Sequence, residues 1–416
     1  MTATAADPIE AALPPERRRP AEEYPVDGVI PRVAFRPGTA DEVAALLQAA
    51  DAADAVVVPQ GARTALRLGR PLARYDVALD TTALNRVVAY EPEDLTVTVE
   101  AGITLEALQG VLGERGQYLP IDPPPDDRVT VGGLLATARP GAWRGHLPAA
   151  RDLVLGAAVA TPEGALVRSG GRVVKNVSGY DLHRMHTGAL GAFGVIVEAS
   201  FKVAPLPAGR RTFALECAHL EQASEIASTL WDRALPLRSL VLLAGPAAQA
   251  AGLPPAPHVL LEAIGRDAVL QRAADAVKTQ AVLLHAVRGI EPGDTPWTLL
   301  RALAGSRMGS VLRLGVPASR VAAAVEAASG AGCVAWGHLA SGSVLATAAS
   351  LDGSTIEGLR DHAVEAGGFL QIEAADASLR ATVDPFATAE RDLVRALKAQ
   401  FDPRGTINRG RWMEGV

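Results

Sequence analysis

The stretch VVVPQGARTALRLG, residues 56–69, combines residue types that can hold an anion. The apolar run Val56-Val57-Val58 stops at Pro59, and Gly61, Thr64 and Gly69 follow. Glycine at 61 lets a ligand approach the backbone closely, and successive amide N–H groups in such a turn form a concave nest for negative charge. Thr64 adds a hydroxyl donor, and Arg63 either pairs with a phosphate or faces water. The loop lacks the lysine of a phosphate-transferring P-loop, and its glycine spacing does not fit the dinucleotide fingerprint. A strand-to-helix turn without any ligand is the plain alternative.

Further clusters shift the balance. TVGGLLAT, residues 130–137, follows LPIDPPPDD and sets Gly132-Gly133 between Thr130 and Thr137, two hydroxyls able to donate. TGALGAFGVI places Gly188, Gly191 and Gly194 three residues apart, ahead of a strand. Glycines punctuate every β-rich domain. Three clusters in one region, each beside an apolar strand, favour one extended ligand lying across several loops. GGRVVKNVSGYDLHRMHTGALG mixes Lys175, Asn176, Tyr180 and Asp181 with glycines and apolar residues, where polar groups are expected to bond something specific.

Other residues exclude function classes. The chain has 416 residues with a formal net charge of -6, which argues against a general nucleic-acid binder. Cys217 and Cys333 lie far apart, so no iron–sulfur or zinc site is expected from this chain alone, and two reduced thiols suit the cytoplasm. His183 and His186 are three apart without nearby carboxylate or thiolate ligands, and His338 in WGHLASGSV stands alone; no metal site is expected. The basic Arg17-Arg18-Arg19 is not followed by a long apolar segment, so it is not read as a secretory signal, and no apolar run reaches transmembrane length.

The elements that must position these residues follow from periodicity. Residues 1–24, rich in Ala, Pro and charge, are expected to form a flexible tail. Thr39 and Glu42 read as a capping box for a helix with Val43, Leu46 and Leu47 on one face, followed by a strand at 55–58. Val97 and Val99 alternate with Thr96 and Thr98 as in a half-buried strand, and Thr104 caps a helix carrying Leu105, Leu108 and Leu112. Residues 120–145 are expected to be irregular, and either functional or disordered. Pro205 and Pro207 mark a boundary. Beyond it, strands at 212–216, 239–243, 259–263, 310–315, 333–346 and 369–373 alternate with helices at 220–233, 268–281, 319–328 and 355–366, and a last helix spans about 388–400. This rhythm is compatible with a ferredoxin-like α+β sheet covered by helices.

The pieces RPGTADEVAALL, PQGARTALRLG, LPIDPP with TVGGLLAT, RDLVLGAAVATPEGALVRSGGRVVKNVSGYDLHRMHTGALGAFGVI and FDPRGTINRGR, in this order, resemble the FAD-binding domain of the vanillyl-alcohol oxidase and p-cresol methylhydroxylase superfamily. More narrowly, they resemble the FAD-binding E subunits of bacterial glycolate oxidase. The resemblance covers most of residues 30–206 and the last fifteen or so. It implies an α+β fold with a two-part FAD-binding domain at 25–206, an α+β cap at 207–380, and a segment at 381–416 that returns to the FAD domain. It implies non-covalent FAD, its pyrophosphate wrapped by Pro59, Gln60, Gly61, Ala62, Arg63, Thr64, Ala65 and Leu66. Asp122, Pro123, Thr130, Gly132, Gly133 and Thr137 would lie along the cofactor. Gly188, Ala189, Val195 and Ile196 would contact its adenine and ribityl portions, and Asn408 would reach the flavin ring.

The implied activity is oxidation of a 2-hydroxy acid to a 2-oxo acid, with flavoprotein and iron–sulfur partner subunits. The implied location is the cytoplasm, against the inner face of the membrane where partners bring it there. A stand-alone oxidoreductase and a non-catalytic accessory subunit are the alternatives. Arg144 and Arg313 are candidate partners for a substrate carboxylate because guanidinium pairs with it bidentately, and His338, alone in WGHLASGSV, is the third candidate. The loop departs from the family in reading Gly61-Ala62-Arg63 where a glycine run is common, and in holding no histidine for a covalent flavin link.

Overall fold

The computed structural model describes residues 8–141, 147–172, 179–387, 390–414 and 416. Within them the first half builds two main sheets and the second half builds one. The first sheet contains β1 (Val33–Phe35), β2 (Val57–Gln60) and β3 (Val77–Asp80), with β3 central and parallel to both neighbours. Parallel neighbours need a crossover, and helix Ala40–Ala52 supplies it between β1 and β2. The Thr39 hydroxyl accepts from the Glu42 N–H at 3.2 Å, and Glu42 reaches back to the Gly38 N–H. That reciprocal pairing satisfies donors a helix start leaves open. Val43, Leu46 and Leu47 bury against Phe35, Val57 and Leu79, each burial stabilising by roughly 1.5–3 kcal/mol.

The second sheet is antiparallel, in the order β4-β5-β8-β6-β7: β4 (Val87–Glu91), β5 (Thr96–Glu100), β6 (Val154–Ala160), β7 (Leu166–Gly170) and β8 (Val195–Lys202). The strand expected to be half-buried, β5, is buried on both faces. Val97 and Val99 lie under helices Leu105–Gly113 and Val131–Thr137, while the Thr98 hydroxyl pairs with Ser200 at 2.8 Å.

Three expectations need correction here. Residues 8–24 are packed: Ile9 and Leu13 fill the core beneath helix Ala40–Ala52, and Arg17 pairs with Glu42 at 2.9 Å. The stretch expected to be irregular holds helix Val131–Thr137, started by the Thr130 hydroxyl accepting from the Gly133 N–H; the glycine pair hides it from a propensity reading. The strand expected at 333–346 is a hairpin whose tip carries Gly342 at φ +66°.

The third sheet has eight antiparallel strands: β9 (Arg210–Glu216), β10 (Leu237–Leu243), β11 (His258–Ile264), β12 (Arg288–Ile290), β13 (Ser310–Gly315), β14 (Val334–His338), β15 (Ser343–Ala348) and β16 (Phe369–Ala374). Its order is β12-β9-β11-β10-β14-β15-β13-β16. Each half of that order is a βαββαβ unit of ferredoxin-like type, and the two join where β10 meets β14. Helices Leu220–Asp232, Asp267–Leu283, Val321–Gly330 and Gly353–Glu365 cover one face. The other face carries Gly245–Ala250 and Thr295–Ala304, which the sequence reading missed. Arg301 of the latter pairs with Asp122 at 3.2 Å, tying this sheet to the first half.

Helix Arg391–Phe401 then carries the chain back. Its Lys398 is buried and donates to Ala192 O, Ile407 O and Asp402 at 2.6–2.8 Å. Residues 406–408 run beside β2: Val57 N–H bonds Thr406 O at 2.7 Å, and Asn408 N–H bonds Val57 O at 2.9 Å.

Candidate cofactor site

Parallel strands β2 and β3 both end at the same place, and ligands of such sheets lie beyond the carboxyl ends of the strands. An elongated groove begins there. Its central part, about 630 Å³ including space open to solvent, is lined by residues 58–66, Thr130, Gly133, Ala136, Thr137, Leu190, Asn408 and Arg411. Through Gln60, Gly61, Gly133 and Asn408 it continues into a part of about 420 Å³, lined also by Thr81, Gly132, Gly191, Gly194, Val195 and Ile196. Through Thr64, Ala65 and Thr137 it continues the other way into a mouth of about 440 Å³ between the two halves, lined by Pro123, Arg139, Gly305 and Arg307.

The loop after β2 has the geometry of an anion nest. Among the described residues, none of the backbone N–H groups from 61 to 67 is paired with a carbonyl or a side chain. Arg63 sits at φ +62°, the left-handed conformation that turns successive amides to one side. Its guanidinium is turned outward: it donates to Glu23 O and lies 5.0 Å from the centre of the Tyr24 ring. Gly61 is needed for a different reason. A Cβ there would overlap Thr130 Oγ1 and lie 3.0 Å from Thr130 Cγ2, so the loop and helix Val131–Thr137 close on each other only without it. Gln60 is 3% exposed; its Nε2 donates to the Tyr75 hydroxyl, and its Oε1 is buried without a partner. A ligand donor at the groove would satisfy that oxygen.

Not every predicted residue lines the groove. Asp122 faces a neighbouring cavity and is taken up by Arg301. Gly188 and Ala189 lie behind the groove wall, where Gly188 N–H bonds Leu135 O at 2.8 Å and Ala189 is buried. The Asn408 side chain lines the groove at its centre, not its mouth, and donates to Leu190 O at 2.6 Å. Arg313 is held by Glu373 at 2.7 Å and by Gln371, and Glu373 also takes Arg139 at 3.0 Å. His338 is fully buried at the end of β14 and lines none of the three parts of the groove. Arg144, Lys175 and Asn176 lie outside the described residues.

Sequence reasoning missed Arg411 and Thr81. Arg411 is 5% exposed, its pKa lowered by burial to about 10, and it donates to Leu66 O and Leu68 O beneath the loop. The tail motif FDPRGTINRGR was the available signal, since an arginine that survives burial must meet carboxylates or carbonyls. Burial also pushes the Cys217 thiol up to about 11 and holds the Cys333 thiol above its ordinary value, so neither is a ready nucleophile. No group of metal-ligating side chains and no helix long and apolar enough to cross a membrane occurs among the described residues.

Residues 31–170 match the FAD binding domain family. The glycolate oxidase subunit GlcE of Escherichia coli (strain K12) is 37% identical over 186 residues, 44% of this chain and 52% of that protein. A D-2-hydroxyglutarate dehydrogenase of Xanthomonas citri pv. viticola is 34% identical over 171 residues, 36% of its length. The chain therefore spans about half, or less, of these relatives. The glycolate oxidase subunit GlcD of Bacillus subtilis (strain 168) is 26% identical over 420 residues, 92% of this chain and 89% of that protein. Among solved structures, p-cresol methylhydroxylase with substrate bound superposes with a TM-score of 0.75 at 16% identity, covering 98% of this chain and 96% of that one. An unpaired amide nest, an orphaned amide oxygen and an elongated groove are what an outstretched dinucleotide requires. Residues 31–170 match an FAD binding domain, the chain shares the fold of p-cresol methylhydroxylase, and FAD is its cofactor.

Proposed function

We propose that this chain is the FAD-binding subunit of a glycolate oxidase or dehydrogenase complex, oxidising a 2-hydroxy acid to a 2-oxo acid and passing electrons to an iron–sulfur partner. The observation that carries the reading is the groove, with unpaired main-chain donors at its centre and a charged mouth between the two halves of the chain. In this reading the 61–67 amides and the Thr64 and Thr130 hydroxyls hold the diphosphate. Backbone donors without a lysine suit a group that is held and not transferred. Thr81, Gly132, Gly191, Val195 and Ile196 would hold the nucleoside end, and the residues of the mouth would face the flavin.

When bound, FAD supplies a two-electron acceptor, and the oxidation removes two electrons and two protons from the hydroxy acid. Arg139 and Arg307 line the mouth and carry the charge to receive a carboxylate. They join Arg144 as candidates, each already paired with a carboxylate, Arg139 with Glu373 and Arg307 with Asp126, whereas Arg313 lines none of the three parts of the groove. The two buried, free thiols offer no cluster to relay electrons, so the next carrier is a partner protein or a diffusible acceptor, and this reading takes the partner. Partner subunits would hold the chain in the cytoplasm near the membrane.

One observation favours an accessory subunit as the second reading. Among the described residues lining the mouth, the carboxylate Asp126 is taken by Arg128 and Arg307, and no histidine stands beside it as a base. The visible spectrum of the purified chain, with FAD added and excess removed, tests the cofactor. Dye reduction with glycolate or D-lactate, before and after adding the partner subunits, separates the roles. Turnover by the single chain overturns the need for partners, and no turnover in the reconstituted complex overturns the enzymatic reading.

A further inference from the structure

We infer that Asp27, Arg380 and Arg411 are positioning residues that couple FAD affinity to the docking of the second-half sheet on the nucleotide groove. The inference rests on the FAD reading of that groove.

Loop 61–70 has two contrasting ends. Its first part offers unpaired N–H groups to the groove, whereas every carbonyl from 66 to 70 is taken from behind. Arg411 donates to Leu66 O, Leu68 O and Arg70 O at 2.7–2.8 Å. The Ala375 N–H donates to Arg67 O, and Arg380 donates to Gly69 O at 2.6 Å. Because a peptide C=O and the following N–H point in opposite directions, pinning Leu66 O from behind aims the Arg67 N–H, the last of the unpaired run, forward. Gly69, at φ +80°, comes so close to Arg411 O that a Cβ there would lie 2.5 Å away.

Two buried guanidinium groups side by side repel each other unless an anion stands between them. Asp27 is that anion. It is 10% exposed in its side chain and pairs with both Arg380 and Arg411. The three members come from separate parts of the chain: Asp27 precedes β1, Arg411 follows the last helix, and Arg380 lies on helix Ala377–Thr382 just beyond β16. Arg67 reinforces the junction, reaching Arg307 O, Gly309 O and Asp376, all in the second half. The loop that faces the diphosphate is therefore held by the cap as much as by its own domain. By linkage, FAD that favours the pinned loop also favours the docked cap.

The test titrates apo-protein with FAD, reading the dissociation constant by ultrafiltration, and follows amide hydrogen exchange in helix Ala377–Thr382. Expected are at least a tenfold loss of affinity in Arg380→Met, partial recovery in Arg380→Lys, and slower exchange of that helix when FAD binds wild type. Arg380→Met that folds and binds FAD within twofold of wild type overturns the inference, as does exchange indifferent to FAD. Should Arg380→Met fail to fold, the partly exposed Arg67→Ala carries the test: about threefold weaker FAD supports the coupling, and unchanged affinity overturns it. A wild-type chain that takes no FAD sinks both this coupling and the FAD reading, whereas wild-type binding beside indifferent variants sinks the coupling alone.

Discussion

Gly61→Ala tests the closest approach in the groove. The added methyl would overlap Thr130 Oγ1 and stand 3.0 Å and 3.1 Å from Thr130 Cγ2 and Cβ. Thr130 is 2% exposed and its hydroxyl caps helix Val131–Thr137, so it cannot swing away freely. Either it rotates and surrenders the cap, worth about 1 kcal/mol, or the loop shifts, at about 1–3 kcal/mol for an overpacked site. Thr130→Ala alone removes the cap and costs about 1 kcal/mol. It also removes the atoms that clash, leaving a Cβ contact that a few tenths of an ångström would relieve. Independent changes would sum to about 2–4 kcal/mol, but a shared clash makes the pair cost about 1–2 kcal/mol. Urea denaturation of the apo-protein measures all four corners of the cycle. Additive losses would refute the claimed approach of loop and helix. FAD binding is expected to weaken in Gly61→Ala at least tenfold, because the displaced loop no longer presents its amides together.

Four further outcomes are expected. Lys398→Met should destabilise by about 3–5 kcal/mol in urea denaturation, since it leaves the buried Asp402 without its cation. His186, whose pKa burial lowers from 6.5 to about 4, stays neutral in the folded state while the unfolded chain takes up a proton. Stability is thus intact above about pH 6.5 and falls by about 3 kcal/mol toward pH 4, a loss that His186→Leu should remove from the pH profile of the denaturation midpoint. Arg139→Ala and Arg307→Ala should raise KM for the hydroxy acid while leaving the FAD spectrum intact; a fall in FAD content instead would move those side chains from substrate to cofactor. His338→Asn should leave FAD binding unchanged by ultrafiltration, because the residue lies off the groove.

Local signals made much of the groove legible. Pro59 and Gly61 mark the strand end and the turn, Thr39 and Thr104 are hydroxyl caps in their expected places, and the glycines at 132–133 and 191–194 fall where walls close. What stayed hidden depended on distant partners. The resemblance implied a cofactor contact for Asp122, but Arg301, almost two hundred positions on, pairs with it. Arg411 gave no sign that three carbonyls of the first loop would be its acceptors. The alternation of β5 correctly indicated a strand, yet exposure of its threonine face was refuted because Ser200 on β8 lies opposite. The cap rhythm revealed alternating strands and helices but not the duplication, which is visible only in strand order.

The return of residues 406–411 to β2 and its loop has a consequence for how the protein is made. Gly61 emerges from the ribosome early, yet the groove gains its Asn408 wall and the Arg411 support beneath its loop only after more than three hundred further residues have been added. A nucleotide meeting the nascent chain finds half a cradle, so cofactor capture must wait until synthesis has passed residue 411, and a truncated product would be left without a competent pocket.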